Sequence, residues 1–136
     1  ANTVAPAMIC YHFMPKMIER GFGRIVNTTS GIRLEPEQAG YSASKAALDK
    51  ITIDLGSMVN GTDVMINLTD PGLCRTDLGG ENAPNDPKSA IPGIAVGAFV
   101  DDKKSGRYLN APFFAGMTLE EAVQKAEKEF DSPYGK

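Results

Sequence analysis

Two helix-length apolar stretches, each followed closely by a short β-rich run, constrain this chain more than any other feature of its sequence. From Thr3 to Arg20 the residues Val4, Met8, Ile9, Tyr11, Phe13, Met14, Met17 and Ile18 wrap more than one face of a helix kinked at Pro15, which predicts burial on two sides. Gly21 and Gly23 stop it, Arg24 to Thr29 reads as a strand, and a polar loop runs from Ser30 to Gly40. The pattern then repeats. Tyr41 to Val59 carries Ala47, Leu48, Ile51, Leu55 and Met58 at helical spacing, Asn60-Gly61 closes it, and Val64 to Thr69 is the next strand. Strands alternating with helices of this length imply βαβ units, a parallel sheet and right-handed crossovers, so the predicted class is α/β.

Beyond Pro71-Gly72, the stretch from Asp77 to Asp86 is rich in Gly, Asn and Pro and reads as a mobile lid loop over a site. Asp86 is placed to cap a helix with Pro87 at its first position, running to about Val100, and Arg107 to Leu109 is a last short strand. Thr118-Leu119-Glu120-Glu121 spells a capping box for a charged helix to about Phe130. The expected organisation is a body over residues 1–117 and a solvated helical tail over 118–136.

Composition narrows the function. A formal net charge of -3 and a sequence pI near 5.1 give no basic field for a phosphate backbone or an anionic membrane surface, so neither nucleic acid nor membrane is an expected partner. Two separated cysteines, Cys10 and Cys74, and a single histidine, His12, suggest no disulfide framework and no metal site. Reduced thiols fit a cytoplasmic protein. The longest apolar run, Ile91 to Val100, is about half of what a membrane span needs, and the first residues lack the basic start of a signal peptide.

The chemistry centres on Tyr41-Ser42-Ala43-Ser44-Lys45. Positions four apart on a helix share a face, so this phenol and ammonium act on one volume. A free tyrosine has a pKa of about 10 and is ionised in roughly one molecule per thousand at neutral pH, so its use as a base needs about 4 kcal/mol of help. A neighbouring cation supplies part of that. In the reverse direction the same phenol protonates the oxygen of a carbonyl that receives hydride. Ser30 stands at a strand end, the edge where open α/β sheets place their ligands, and its hydroxyl is suited to hold the reacting oxygen.

These residues sit in a wider likeness. Gly23-Arg24-Ile25-Val26-Asn27-Thr28-Thr29-Ser30, Gln38-Ala39-Gly40-Tyr41-Ser42-Ala43-Ser44-Lys45-Ala46-Ala47 and Pro71-Gly72-Leu73-Cys74-Arg75-Thr76 resemble the catalytic-serine strand, the tyrosine helix and the P-G-x-x-x-T turn of the short-chain dehydrogenase/reductase family. The resemblance runs from Asn2 to about Leu109. It implies a three-layer Rossmann-type sheet, the second half of a doubly wound fold, in an enzyme that uses NAD or NADP to interconvert an alcohol and a ketone or aldehyde. It further implies Tyr41 as acid/base, Ser30 positioning the substrate oxygen, Lys45 holding the nicotinamide ribose, and Asn2 holding a relay water through its backbone. Pro71, Gly72, Cys74 and Thr76, with Tyr41 and Lys45, are the implied cofactor contacts, and a homodimer or homotetramer the implied assembly.

Some features depart from the family pattern. Ser30 precedes Tyr41 by only eleven positions, with Thr28 and Thr29 as nearby hydroxyl substitutes, and Cys74 stands where the family usually has valine or isoleucine. The family's glycine-rich turn and N-N-A-G strand would precede Asn2, so the chain is expected to be the carboxyl-terminal half of a longer domain. The competing reading is a truncated or divergent member that serves as a non-catalytic interaction module. Ser42-Ala43-Ser44-Lys45 also spells S-x-x-K, but no S-D-N or K-T-G accompanies it. His12 on its apolar helix is read as a packed or surface residue. The loop from Asp77 to Asp86 carries no charge cluster or aromatic cage that names a substrate.

Overall fold

A strand covered on both faces loses the alternation of a half-exposed one and reads as continuously apolar. Val64–Asp70 (β2) is covered in this way, with all seven residues buried although Asn67, Thr69 and Asp70 are polar, and it lies at the centre of a three-stranded sheet between Gly23–Thr28 (β1) and Tyr108–Asn110 (β3). Both pairings are parallel; Gly23 lies opposite Val64 and Thr28 opposite Thr69, while Leu68 faces Tyr108 and Asp70 faces Asn110. The computed structural model describes residues 1–34, Pro36 and 38–134.

Successive β2 side chains enter opposite layers, as the two-residue period requires. Val64 and Ile66 join Cys10, Met14, Leu55 and Val59 beneath two long helices, Val4–Arg20 (α1) and Ala39–Val59 (α2). Met65 points the other way, into a cluster with Val96, Val100, Leu109, Phe114, Ala122 and Ala126 under Gly93–Val96 (α3) and Leu119–Glu129 (α4). The result is a three-layer α/β sandwich. Fully burying residues such as Ile66 and Leu68, both 0% exposed, contributes about 1.5–3 kcal/mol each. Among the described residues no helix is long and apolar enough to cross a membrane.

Sequence and structure part in several places. Helix α1 ends as expected, at Gly21, whose φ of 78° lets its N–H reach Ile18 O. It buries only Cys10 and Met14, however, and leaves Val4, Met8, Ile9, Tyr11, Phe13 and Ile18 exposed. Burial on two sides is therefore not met within one chain. The helix expected from Asp86 to Val100 is broken into a 3-10 turn at Pro87–Ala90 and the single turn of α3. Pro92 explains the break, because it lacks an N–H and pushes Ile91 into an extended backbone with ψ of 134°.

The end of the chain is not solvated on its inner side. The predicted capping box forms between Thr118 and Glu121, but α4 buries Ala122 and Ala126 against α3, and the Tyr134 hydroxyl donates to Ile53 O. The loop from Asp77 to Asp86 is stitched down, with Arg75 N donating to Asn85 O at 2.8 Å, Asn85 N to Leu73 O at 3.2 Å, and Ala83 buried. The loop predicted from Ser30 to Gly40 opens with a 3-10 turn at Gly31–Leu34; its Glu35 and Glu37 lie outside the described residues, as do Gly135 and Lys136 of the tail.

Candidate active site

Helix α2 supports the site through a stripe that changes chemistry along its length. Its buried positions recur along one face; over its first two thirds they are Ser42, Lys45, Leu48, Asp49 and Thr52, polar except for Leu48, and near its end Leu55, Gly56 and Val59. A parallel crossover brings the start of the helix after β1 over the carboxyl edge of the sheet, so the polar half of the stripe meets the strand ends and the apolar half meets the core. Asn27 donates to Thr52 Oγ1 at 2.9 Å, and the Thr29 hydroxyl donates to Asp49. Thr29 is thus buried and engaged. Ser30, one residue on, is the hydroxyl that turns outward.

A cavity of about 550 Å³ opens at this edge, and Ser30, Tyr41, Lys45, Gly72, Cys74 and Thr76 all line it, as does Pro71. Its size is within the usual range for small-molecule and cofactor pockets. Lys45 is 8% exposed, and its ammonium donates to Thr28 O at 2.9 Å, with Nζ 5.8 Å from the centre of the Tyr41 ring. A buried ammonium needs hydrogen-bond acceptors, and three donors leave capacity for a ligand. Tyr41 is 44% exposed, so its phenol is reachable from solvent.

The opposite wall is made by the turn after β2. Gly72 has a φ of 75°, and a Cβ there would lie 2.9 Å from Asn85 Nδ2, so this turn shows bare backbone where a side chain would collide. Cys74 Sγ lies 3.5 Å from Pro71 O, and the residue forms a β-bridge with Asn85. The Thr76 hydroxyl accepts from Gly79 N at 3.1 Å, a local cap that leaves its own proton for another partner. Asn2 is placed elsewhere. It lines a separate depression of about 450 Å³ with Thr3, Gly40 and Tyr41, to which Ser30 does not contribute.

Two acidic residues of this region were not singled out in the sequence. Asp49 follows Lys45 by four positions and so shares the face of Tyr41 and Lys45, a spacing that was legible. Asp70 ends a strand of otherwise uncharged residues and lines the cavity while 7% exposed. Its position just before Pro71-Gly72 disguises it as an ordinary turn residue. Among the described residues no group of three His, Cys, Asp or Glu side chains is placed to hold a metal ion.

Comparison with known proteins places this geometry among relatives. Residues 1–87 match the family model for short chain dehydrogenases. The chain is 30% identical over 124 residues to carbonyl reductase family member 4 of Danio rerio, a match that covers 87% of this chain and 51% of that protein. It is 31% identical over 112 residues to the 3-oxoacyl-[acyl-carrier-protein] reductase of Rickettsia prowazekii, covering 76% of this chain and 46% of that one. Among solved structures, the carbonyl reductase Sniffer of D. melanogaster aligns with a TM-score of 0.63 at 27% identity, covering 82% of this chain and 52% of its own. The NADPH-bound carbonyl reductase from chicken fatty liver aligns with a TM-score of 0.62 at 26% identity, over 80% of this chain and 51% of its own. The chain spans about half the length of these relatives, or less.

Proposed function

This chain belongs to the short-chain dehydrogenase family, and from that premise we propose that it carries the catalytic residues of an NAD- or NADP-dependent oxidoreductase that interconverts an alcohol and a ketone or aldehyde. The observation that carries the reading is the meeting of Ser30, Tyr41, Lys45 and the Pro71-Gly72 turn around one cavity at the carboxyl edge of a parallel sheet. Relatives described as carbonyl and 3-oxoacyl reductases, one solved with NADPH bound, support the same chemistry.

The residues present fit a nicotinamide group. The buried Lys45 ammonium and the Thr76 hydroxyl offer donors to a ribose and a carboxamide, and the bare backbone at Gly72 allows a flat ring to approach closely. When bound, that cofactor supplies or accepts the hydride. The protein's own residues do the rest. Ser30 donates a hydrogen bond to the substrate oxygen, and the Tyr41 phenol gives that oxygen a proton during reduction or removes one during oxidation. Lys45, one helical turn away with its ammonium 5.8 Å from the centre of the Tyr41 ring, is placed to hold the ribose beside that phenol. Asn2, which lines a depression together with Tyr41, is suited to hold through its backbone a water on the route by which Tyr41 recovers its proton.

Replacing Tyr41 with Phe is expected to lower kcat by about 10²- to 10⁴-fold while leaving the affinity for NADH or NADPH within about twofold. Steady-state turnover of a carbonyl substrate, followed by the absorbance of the reduced cofactor, together with cofactor fluorescence titration, reads both quantities. Undiminished turnover would remove the phenol from the mechanism.

The exposed apolar side of α1, with Met8, Ile9 and Phe13, supports self-association into a homodimer or homotetramer. Sedimentation velocity on the protein with Ile9→Asp should then show a smaller species than wild type. A wild-type monomer would refute this. Buried Cys10 and half-buried Cys74 are free thiols, which suits a cytoplasmic location.

A further inference from the structure

The parallel ladder between β1 and β2 ends at the cavity, with Thr28 opposite Thr69 and Thr29 N still donating to Thr69 O at 2.8 Å. Beyond that point each chain forms one wall of the site, Ser30-Gly31 on one side and Pro71-Gly72 on the other. The side chain of Asp70 joins the two. Its Oδ2 accepts from Gly31 N at 3.0 Å and from the Tyr108 hydroxyl, and its Oδ1 accepts from Gly72 N at 2.9 Å. At 7% exposure the carboxylate has lost most of its water, and these charge-assisted bonds compensate for that loss.

We propose that Asp70 is a positioning residue, whose carboxylate staples the Ser30-Gly31 turn to the Pro71-Gly72 turn and thereby sets where the Ser30 hydroxyl stands relative to the opposite wall. The functional half of this proposal rests on the oxidoreductase reading; the staple does not. Ser30 adjoins Gly31 directly, and its Oγ also accepts from Ile32 N at 3.3 Å, so a shift of the Gly31 amide moves the serine with it. A carboxylate suits the place. It is acceptor-only with two oxygens, and here each oxygen meets a backbone N–H. An asparagine would keep the volume but set its NH₂ against one of those amides, donor against donor. Tyr108 is a separate matter, since removing its hydroxyl leaves both amide bonds in place.

The test combines a readout that needs no activity with one that does. In the protein without cofactor, Asp70→Asn should speed amide hydrogen exchange, read by NMR, at Gly31 or Gly72 by about tenfold or more, the scale of one lost bond to a charged acceptor. Exchange at Ile66 and Leu68 should not change. Tyr108→Phe should leave both glycine amides within about twofold of wild type. For turnover, Asp70→Asn should lower kcat by about tenfold to a hundredfold, and the loss should not multiply with that of Ser30→Ala, because a misplaced hydroxyl has little left to contribute. Unchanged exchange at both glycines overturns the staple. Faster exchange with fully multiplicative losses overturns its action through Ser30. Absence of any carbonyl turnover in wild type would instead sink the oxidoreductase reading, and with it the role in that reaction, while the exchange data still decide the staple.

Discussion

Replacing Asp102 with Ala should cost this fold about 3 kcal/mol at neutral pH. Arg107 has a side chain only 1% exposed, and Asp102, 21% exposed, meets it with both oxygens. Breaking a buried pair by removing one partner costs roughly 3–5 kcal/mol. The lower end applies here, because Asp102 keeps some water and Arg107 retains Phe130 O at 2.8 Å and Lys104 O at 3.3 Å. At about 2.1 cal/mol/K per residue, the 136 residues have an unfolding entropy of about 0.29 kcal/mol/K, so the loss corresponds to a fall of about 10 °C in Tm. The pH dependence adds a second constraint. Burial of Asp102 works to raise its pKa, but the hydrogen bond and charge of Arg107 outweigh it and hold the carboxyl below the usual range. A folded pKa below the unfolded value means that the stabilisation is complete above about pH 4 and vanishes as the pH falls through the lower folded value. Calorimetry of wild type and variant between neutral and strongly acidic pH should therefore show a constant gap that narrows only in acid. A gap under about 1 kcal/mol at neutral pH, or one that persists unchanged in strong acid, would refute the reasoning.

Two further outcomes follow from local geometry. Gly72→Ala forces a Cβ into left-handed backbone and 2.9 Å from Asn85 Nδ2, which should cost about 1–3 kcal/mol in a urea melt and weaken nicotinamide cofactor binding in a fluorescence titration. Ala126→Leu overfills the space between α4 and α3, where Ala126 is 0% exposed, and should destabilise by about 1–3 kcal/mol by the same melt; a neutral result would mean that α4 is held only at its ends.

The strands and long helices were legible because each local signal agreed with the tertiary role it serves. Gly21 and the Asn60-Gly61 pair stop α1 and α2 where the pattern predicts, and the apolar run Val64 to Ile66 opens β2 where a strand is expected. Tyr41 and Lys45 were legible together because helical spacing is a rigid ruler. The breaks came where a local rule was overridden. Pro92 outweighed the apolar pattern from Asp86 to Val100, and the small residues Ala122 and Ala126 let a highly charged helix dock closely on α3. Helix α1 misled for a different reason, since an apolar surface in sequence does not say whether its cover lies in the same chain. Asp70 was hidden because its partners, Gly31 and Gly72, are distant or backbone groups that leave no trace in side-chain pattern.

Helix α2 is one rigid rod that floors the cavity at Tyr41 and Lys45 and anchors in the interior at Leu55 and Val59. A residue such as Leu55 sits about 21 Å along the axis from Tyr41 at 1.5 Å per residue, yet both ends turn together. A change of volume that rolled the anchored end would carry the phenol through the same angle at the cavity. A swap made only to improve interior packing at Leu55 or Val59 therefore bears on where the Tyr41 hydroxyl stands in the cavity.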